Sequence, residues 1–359
     1  EEKVILQTIT SLLASDHPPG FEILVVDDGS SDDTYSRVVD EFSEEPRVRA
    51  FCKPNGGKAS ALNYGLARTT AEIVIALDAD TIFARDTISN LVRHFCNSRV
   101  GAVAGNAKVG NRINLLTRWQ ALEYVTSQNL DRRAFEALNC ITVVPGAVGA
   151  WRRELVVEAG GFTDLTLAED ADLTMTIRKM GYSIAYEDQA IGLTEAPDTV
   201  RAFVRQRFRW MYGTLQAAWK HHDALFRRRF GSLGFIALPN IFVFQVFFPL
   251  ISPVMDLVMI GTVVSAALDR WQHPSEFSPN TLLSVLFFYA LFLAVDFLSA
   301  VLAFLLEPHE NRRLLVWLFL QRFFYRQLMY YVAIKSTLAG LKGISVGWSK
   351  LERKATVRV

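Results

Sequence analysis

Short apolar segments alternate with polar loops and helical patterns in the first part of the chain. Apolar runs of this length, each ending in polar residues, predict strands that are buried on both faces. The predicted strands and helices alternate in the order 21–26, 34–42, 47–52, 59–67, 72–77 and 85–96. This alternation predicts an α/β fold in which helices cover a mostly parallel sheet.

Long apolar stretches replace this pattern in the second part of the chain. Residues 233–268 carry only Asp256 as a charge and contain three prolines, and residues 281–306 carry only Asp296. A membrane-spanning helix needs about 20 apolar residues. The first stretch therefore predicts one span plus an interfacial helix broken at the prolines, and the second predicts a single span. Residues 314–341 contain three basic side chains and predict an interfacial helix or a span that lines a polar cavity.

Basic clusters flank these stretches at 227–229, at 312–313 and along 342–358. The positive-inside rule places such clusters in the cytoplasm. We therefore expect a multi-pass protein of the cell (inner) membrane with its catalytic domain in the cytoplasm. The expected division is a catalytic domain over 1–225, interfacial and transmembrane helices over 226–345, and a basic cytoplasmic tail over 346–359.

The totals exclude some functions. With 38 basic and 37 acidic residues in 359, the chain has no net field that would attract nucleic acid. Three widely separated cysteines predict a reducing compartment, and six histidines without a ligand-like spacing disfavour a zinc site. Because the sequence begins at Glu1 without Met, we expect that it was cut from a longer chain.

Carboxylates follow two of the predicted strands. Asp27 and Asp28 follow the first, and Asp78 and Asp80 follow the third. In open α/β sheets ligands bind beyond the carboxyl ends of the strands. A pair of carboxylates on one side of an extended segment suits Mg²⁺ or Mn²⁺ bound together with a diphosphate. Taken alone, Asp27 and Asp28 are better explained by a turn whose side chains cap the next helix, and the spacing of Asp78 and Asp80 is common in loops.

Three further segments each have a structural and a chemical interpretation. Residues 55–58, Asn-Gly-Gly-Lys, suit a hairpin turn or a loop that donates N–H groups and one ammonium to a phosphate. Glu169 and Asp170 suit an acidic first helical turn or a general base. The segment QRFRW at 206–210 suits an interfacial helix, or a helix that presents an arginine to a phosphate and a tryptophan to a sugar.

The order of these segments, followed by membrane stretches, resembles the processive members of glycosyltransferase family 2, which include cellulose, chitin, hyaluronan and poly-N-acetylglucosamine synthases. The resemblance implies a GT-A fold, a Rossmann-like domain that binds a nucleotide sugar. It also implies that Asp28 contacts the uridine and that Lys58 contacts the nucleotide or its phosphates. Asp78 would hold the donor, and Asp80 with Asp78 would hold the Mg²⁺ or Mn²⁺ cofactor.

The same resemblance implies the acceptor side. Asp170 would be the catalytic base, while Gln206, Arg209 and Trp210 would lie at the acceptor and diphosphate. The segment 145–152, which contains Gly146, is similar to the acceptor-side loop of the family. The implied reaction is an inverting transfer, with GlcNAc from UDP-GlcNAc as the expected sugar, onto a growing β-linked polysaccharide. The implied partners are a UDP-sugar, a glycan acceptor, membrane lipids and accessory membrane or export subunits, but no nucleic acid.

The segment QRFRW and residues 347–353 are most similar to the poly-β-1,6-N-acetylglucosamine synthases. The family's first strand, which ends in a Pro-x-Tyr-Asn-Glu-like segment, is missing or truncated, since only Glu1 and Glu2 match its end. Three alternatives stay open at this stage. They are a non-processive transferase that acts on a lipid, a membrane transporter or receptor with a degenerate nucleotide-binding domain, and a soluble nucleotidyltransferase.

Overall fold

The computed structural model describes residues 1–17, 20–275, 278–343 and 354–357. The strands are β1 (Ile23–Asp27), β2 (Val48–Cys52), β3 (Ile73–Ala76), β4 (Ile82–Phe83), β5 (Val100–Val109), β6 (Gly149–Arg152) and β7 (Ser183–Thr194). The helices of the first part are α1 (Ile5–Leu13), α2 (Thr34–Phe42), α3 (Lys58–Leu66), α4 (Thr87–Arg93), α5 (Leu115–Glu123), α6 (Leu130–Ala137), α7 (Arg153–Glu158), α8 (Glu169–Lys179) and α9 (Val200–Lys220). The later helices are α10 (Leu238–Asn240), α11 (Phe248–Gln272), α12 (Asn280–Leu305) and α13 (Leu318–Leu341).

The strands form a mixed arrangement that confirms the α/β class. Strands β1 and β2 pair in parallel, and the five-stranded sheet has the order β3-β6-β5-β7-β4. Within that sheet β5 and β7 are parallel, whereas β6 runs antiparallel to β3 and β5, and β4 runs antiparallel to β7. Parallel pairing is thus less frequent than expected. The sequence pattern shows only that strands alternate with helices, while the direction of β6 depends on how the long excursion through α5 and α6 returns.

Strand β5 is the central strand of the five-stranded sheet, and each of its residues is buried. Ala102 and Ala104 pack in one hydrophobic cluster, while Val103 packs in another. Successive side chains of a strand point to opposite faces, so both faces of the sheet are covered. This burial is what the continuous apolar pattern predicts for a strand of this kind.

Strands β1 and β3 each have one paired edge in the part of the chain that the structure describes. β1 pairs with β2, β3 pairs with β6, and residues of both strands line a common cavity. The side chains of β3 are only half-buried, although all four are apolar. The expectation that a first strand is missing from the sheet stays a prediction.

Two helical runs are long and apolar enough to cross a membrane, Leu233–Gln272 and Asn280–Leu305. The expected break at the prolines of the first run is wrong. The chain instead forms π-helical turns at Leu233–Ala237 and Ile241–Phe247 and continues into α11. A wider turn accommodates a carbonyl that proline, which lacks an N–H group, leaves without its usual partner.

Helix α13 lies against α9 and α11, and its polar side chains meet acidic ones on the apolar helices. Arg322 forms an ion pair with Asp296 of α12, and Gln327 Nε2 donates to Asp256 Oδ2 at 3.1 Å. Pairing explains how charged groups are tolerated in these otherwise apolar stretches. Lys350 and Arg353, which belong to the predicted basic tail, lie outside the described residues, as does the segment 347–353.

A buried ionic network joins β5 to the turn that follows α12. Lys108 Nζ lies 2.8 Å from Glu307 and 3.4 Å from Glu310. Arg133 pairs with Glu307 at 3.0 Å, and Arg112 pairs with Glu310 at 2.8 Å. Both glutamates are buried. The network therefore fixes the apolar helices to the central strand of the sheet.

We expect the substitution Glu307→Gln to destabilise the protein by about 3–5 kcal/mol, because it leaves Lys108 buried with one acidic partner fewer. Thermal unfolding in detergent micelles measures the effect. Glu72→Gln is the matched control, since its carboxylate is 84% exposed and lies 3.4 Å from Arg152. Its unfolding should change by less than about 0.5 kcal/mol. Equal small shifts in both variants would contradict a fixing role for Glu307.

Candidate active site

One cavity of about 1970 Å³ gathers every site residue that the sequence predicts. These residues come from loops and helices that are far apart in the chain, and they are Asp28, Lys58, Asp78, Asp80, Gly146, Asp170, Gln206, Arg209 and Trp210. The fold thus brings the predicted donor and acceptor groups to the wall of the same space.

Asp28 organises the loop that leads into α3. Its carboxylate accepts hydrogen bonds from the N–H groups of Gly56 at 2.9 Å and Gly57 at 2.7 Å, and from Lys53 Nζ at 2.5 Å. Burial opposes ionisation, but these donors together hold the pKa of Asp28 below its ordinary value. The loop N–H groups predicted for a phosphate are therefore engaged by Asp28. Sequence reasoning also missed Lys53 as the partner of Asp28.

Lys58 is the first residue of α3 and lies between two carboxylates. Its Nζ is 2.7 Å from Asp78 Oδ1 and 2.9 Å from Glu169 Oε1. Burial disfavours the ammonium form, yet the carboxylates, Asp78 first among them, raise the pKa of Lys58 well above its ordinary value. The pairing with Glu169 was not predictable from the sequence, where Glu169 is visible only as an acid in a first helical turn.

Asp78 and Asp80 lie in a turn rather than in the extended segment assumed from the sequence. The N–H of Thr81 donates to the carbonyl of Asp78 at 3.1 Å, which closes the turn. Asp80 is buried, and its Oδ2 lies 3.5 Å from the hydroxyl of Thr194. Both side chains still line the cavity.

These two carboxylates fit a divalent ion only as part of a larger ligand set. Within the described ranges, no three His, Cys, Asp or Glu side chains gather around one point. Mg²⁺ and similar ions are commonly bound through one or two carboxylates, with phosphate oxygens and water as the other ligands. Asp78 and Asp80 provide hard oxygen donors for such a site, which the diphosphate of a donor would complete.

Asp170 lies in the first turn of α8, where its carboxylate accepts two backbone hydrogen bonds. Oδ2 accepts from Gly146 N at 3.1 Å and Oδ1 from Ala171 N at 2.8 Å. Burial and the charge of Glu169 raise the pKa of Asp170 to about 6, and the ammonium of Lys58 limits the rise. A carboxylate with a pKa near the working pH is suited to accept a proton.

Gly146 leaves room for the ammonium of Lys58. A Cβ atom at this position would lie 2.7 Å from Lys58 Nζ. The loop backbone thus approaches both the ammonium of Lys58 and the carboxylate of Asp170, which a larger residue would push apart.

Helix α9 contributes Gln206, Arg209 and Trp210 to the wall of the cavity. Gln206 is buried, Trp210 is 39% exposed, and the ring of Trp210 lies 6.4 Å from that of Tyr124. The cavity continues past Trp210 to Pro249 of α11 and Tyr330 of α13. Its walls therefore change from charged groups at Lys58 to aromatic and apolar groups beside the candidate membrane helices.

Comparison with known proteins identifies the family. Residues 1–213 match the family described as glycosyltransferase like family 2. The chain belongs to this family of glycosyltransferases.

Two curated relatives of this glycosyltransferase bear on its activity. It is 30% identical over 380 residues to the probable glycosyltransferase YdaM of Bacillus subtilis. This match covers 98% of this chain and 84% of the relative. It is 28% identical over 215 residues to the poly-beta-1,6-N-acetyl-D-glucosamine synthase of Staphylococcus epidermidis. The second match covers 59% of this chain and 52% of that synthase, so it spans about half of the relative's length.

A solved structure confirms the fold of this glycosyltransferase. The mannosyltransferase PcManGT from Pyrobaculum calidifontis, in complex with GDP-Man and Mn²⁺, matches with a TM-score of 0.60 at 22% identity. The match covers 96% of this chain and 85% of that protein. At this identity the likeness concerns the fold, and it confirms the predicted GT-A domain.

We expect Asp170→Asn to lose at least about 100-fold in transfer rate, because the amide cannot accept the proton. In the wild-type protein, the rate of transfer should rise with pH up to about 6, where Asp170 becomes ionised.

The raised pKa of Asp170 also means that its ionisation lowers the free energy of unfolding. This loss of stability begins above the unfolded pKa of 3.8 and is complete above about 6. The variant should therefore melt at a higher temperature than the unchanged protein at pH 7.

Asp164→Asn is the matched control, because Asp164 is an exposed carboxylate in the preceding loop. It should leave the rate, its pH dependence and the melting temperature unchanged. An Asp170→Asn variant that melts earlier but turns over normally per folded molecule would show that Asp170 only supports the start of α8.

Proposed function

We propose that this chain is an inverting, metal-dependent, membrane-bound glycosyltransferase that adds GlcNAc from UDP-GlcNAc to a growing β-linked polysaccharide. The observation that carries the proposal is the composition of this cavity. Asp78, Lys58, Asp170 and Trp210 all line it, and so do Phe244 and Pro249 of a helical run that is apolar enough to cross a membrane. Such an arrangement suits a charged donor at one end and a glycan that extends along the other.

Asp170 acts as the base in this proposal. It removes the proton from the acceptor hydroxyl as the oxygen attacks the anomeric carbon from the face opposite the leaving UDP, so that the configuration inverts. A positioned base contributes about 10²–10⁴-fold to the rate. The N–H of Gly146, 3.1 Å from Oδ2, fixes the carboxylate while its other lone pairs stay available.

The donor end holds the diphosphate. Lys58 offers an ammonium to the phosphate oxygens, and its present partners Asp78 and Glu169 orient it. Asp80 and Asp78 would hold a Mg²⁺ or Mn²⁺ ion, which would neutralise charge that develops on the leaving diphosphate. Asp28 would act on the nucleotide through the loop that it organises as well as by direct contact with the uridine.

The acceptor end favours a saccharide. The exposed indole of Trp210 offers an apolar face for a sugar ring, and Gln206 and Arg209 line the same wall. The likeness to a named poly-beta-1,6-N-acetyl-D-glucosamine synthase supports GlcNAc as the sugar and a polymer as the product. A lipid-linked acceptor is the second candidate, because Phe244 and Pro249 give the cavity an apolar end next to the membrane helices.

The test is to incubate membranes that contain the protein with radiolabelled UDP-GlcNAc and a panel of other nucleotide sugars, and to determine the size of the product. We expect a GlcNAc polymer that grows with time and resists lipid extraction. A lipid-extractable product that carries one sugar would favour the second candidate. Incorporation from another donor alone would overturn the assignment of GlcNAc.

We expect Asp80→Ala to abolish transfer and to weaken UDP binding in the presence of Mn²⁺, because one hard oxygen ligand is lost. Isothermal titration with UDP, with and without Mn²⁺, measures the effect. Asp86→Ala is the control, since Asp86 is an exposed carboxylate a few residues further along the chain. Full transfer in excess EDTA would contradict metal dependence.

A further inference from the structure

Arg207 lies beneath Trp210 and is 2% exposed. Its guanidinium carbon is 4.3 Å from the centroid of the Trp210 ring and 5.7 Å from that of Tyr124. The ring of Phe203 is 5.2 Å away. Three aromatic faces thus surround one cation, an arrangement in which cation–π attraction is strongest because water is excluded.

Two helices hold this cation from other sides. Arg207 Nη2 lies 2.6 Å from Glu123 Oε2 of α5 and 3.4 Å from the hydroxyl of Tyr325 on α13. The hydroxyl of Tyr325 donates to the same oxygen of Glu123. Charge-assisted bonds of this kind are short and directional, so they fix the plane of the guanidinium.

The two remaining groups of the guanidinium, Nε and Nη1, are buried and make no hydrogen bond in the part of the chain that the structure describes. A planar cation can face aromatic rings in this way, since the rings attract it without accepting a conventional hydrogen bond. The orientation of Arg207 therefore depends on Glu123 and Tyr325 on one side and on the rings on the other.

Trp210 has less support of its own. Its side chain is 39% exposed and lines the cavity, and its indole contacts the guanidinium of Arg207 and the ring of Tyr124. A partly exposed ring would otherwise rotate among several rotamers, and a sugar would have to select one of them. Contact with Arg207 reduces the number of rotamers that Trp210 can adopt before the acceptor binds.

We propose that Arg207 is a positioning residue that holds the indole of Trp210 in the orientation which receives the acceptor sugar, and that Tyr325 links this orientation to helix α13. This inference rests on the proposed function, because it assigns Trp210 to the acceptor. The hydrogen bonds of Arg207 go to Glu123 and Tyr325, whereas Lys58 pairs with Asp78 and Glu169 at the proposed donor site. A substitution of Arg207 should therefore impair transfer to the acceptor and leave the binding of the donor unchanged.

The test compares two reactions of the full chain in membranes. One is transfer to a saccharide acceptor, and the other is hydrolysis of UDP-GlcNAc without acceptor, in which water replaces the sugar. Tyr325→Phe removes one hydroxyl and keeps the ring, so it should fold and raise the acceptor KM by several-fold. Arg207→Met should lower transfer by about 10-fold or more, in line with the loss of a charged hydrogen bond. Hydrolysis and UDP affinity should stay within about twofold.

Two further variants sharpen the result. Arg207→Lys keeps the charge beside Glu123 but loses the planar face, so it should restore the melting temperature while transfer stays low. Arg201→Met is the matched control, because Arg201 is exposed on the same helix. It should leave both reactions unchanged.

Equal losses of transfer and hydrolysis in Tyr325→Phe and Arg207→Met would show that Arg207 only joins helices, and would overturn the proposal. An unchanged acceptor KM in Tyr325→Phe would overturn the link to α13. If the unchanged protein uses a different nucleotide sugar, the assignment of GlcNAc fails, but the ratio of transfer to hydrolysis measured with that donor still decides the role of Arg207.

Discussion

The candidate active site depends on the balance of charge around Lys58. Three carboxylates, those of Asp78, Glu169 and Asp170, act on a single ammonium, that of the partly buried Lys58. Charges interact strongly in such surroundings, and an excess of one sign is costly. The excess is relieved in two ways within the chain, since Lys58 keeps its proton and the pKa of Asp170 rises to about 6. A diphosphate would add more negative charge, which is the physical reason that a divalent cation belongs in the proposed mechanism.

The fold produces this balance of charge by bringing together side chains from separate helices and strands. Asp78 follows β3, Lys58 begins α3, and Asp170 lies in the first turn of α8. Each position is set from outside the site, as when the hydroxyl of Thr8 in α1 donates to the carbonyl of Ala79 at 2.7 Å and supports the Asp78–Asp80 turn. The candidate membrane helices are fixed to the same sheet, because Glu307 pairs with Lys108 of its central strand. The two halves of the chain are therefore joined by a buried ion pair.

The sequence predicts those features that depend on local spacing. The ends of β1 and β3, the start of α8 and the shared face of Gln206, Arg209 and Trp210 all follow from periodicity and residue type. Features that depend on contacts between distant parts of the chain could not be predicted from the sequence. The antiparallel course of β6, the pairing of Lys58 with Glu169 and the burial of Arg207 under Trp210 join residues whose separation in sequence carries no signal. The π-helical turns near the prolines were not predicted either. A proline in the sequence indicates that a backbone hydrogen bond is lost, but it does not indicate how the helix adjusts to the loss.

Asp28 has a structural role in addition to the one that the family resemblance implies. The family resemblance implies contact with the uridine, whereas in the structure its carboxylate accepts from Lys53, Gly56 and Gly57. These bonds fix the loop immediately before Lys58, and Gly57 has a φ of 88°, a conformation that favours glycine. Loss of the Asp28 carboxylate would free the loop and with it the ammonium. Effects of changes at Asp28 and Lys58 should then not add, because both act on the same charge.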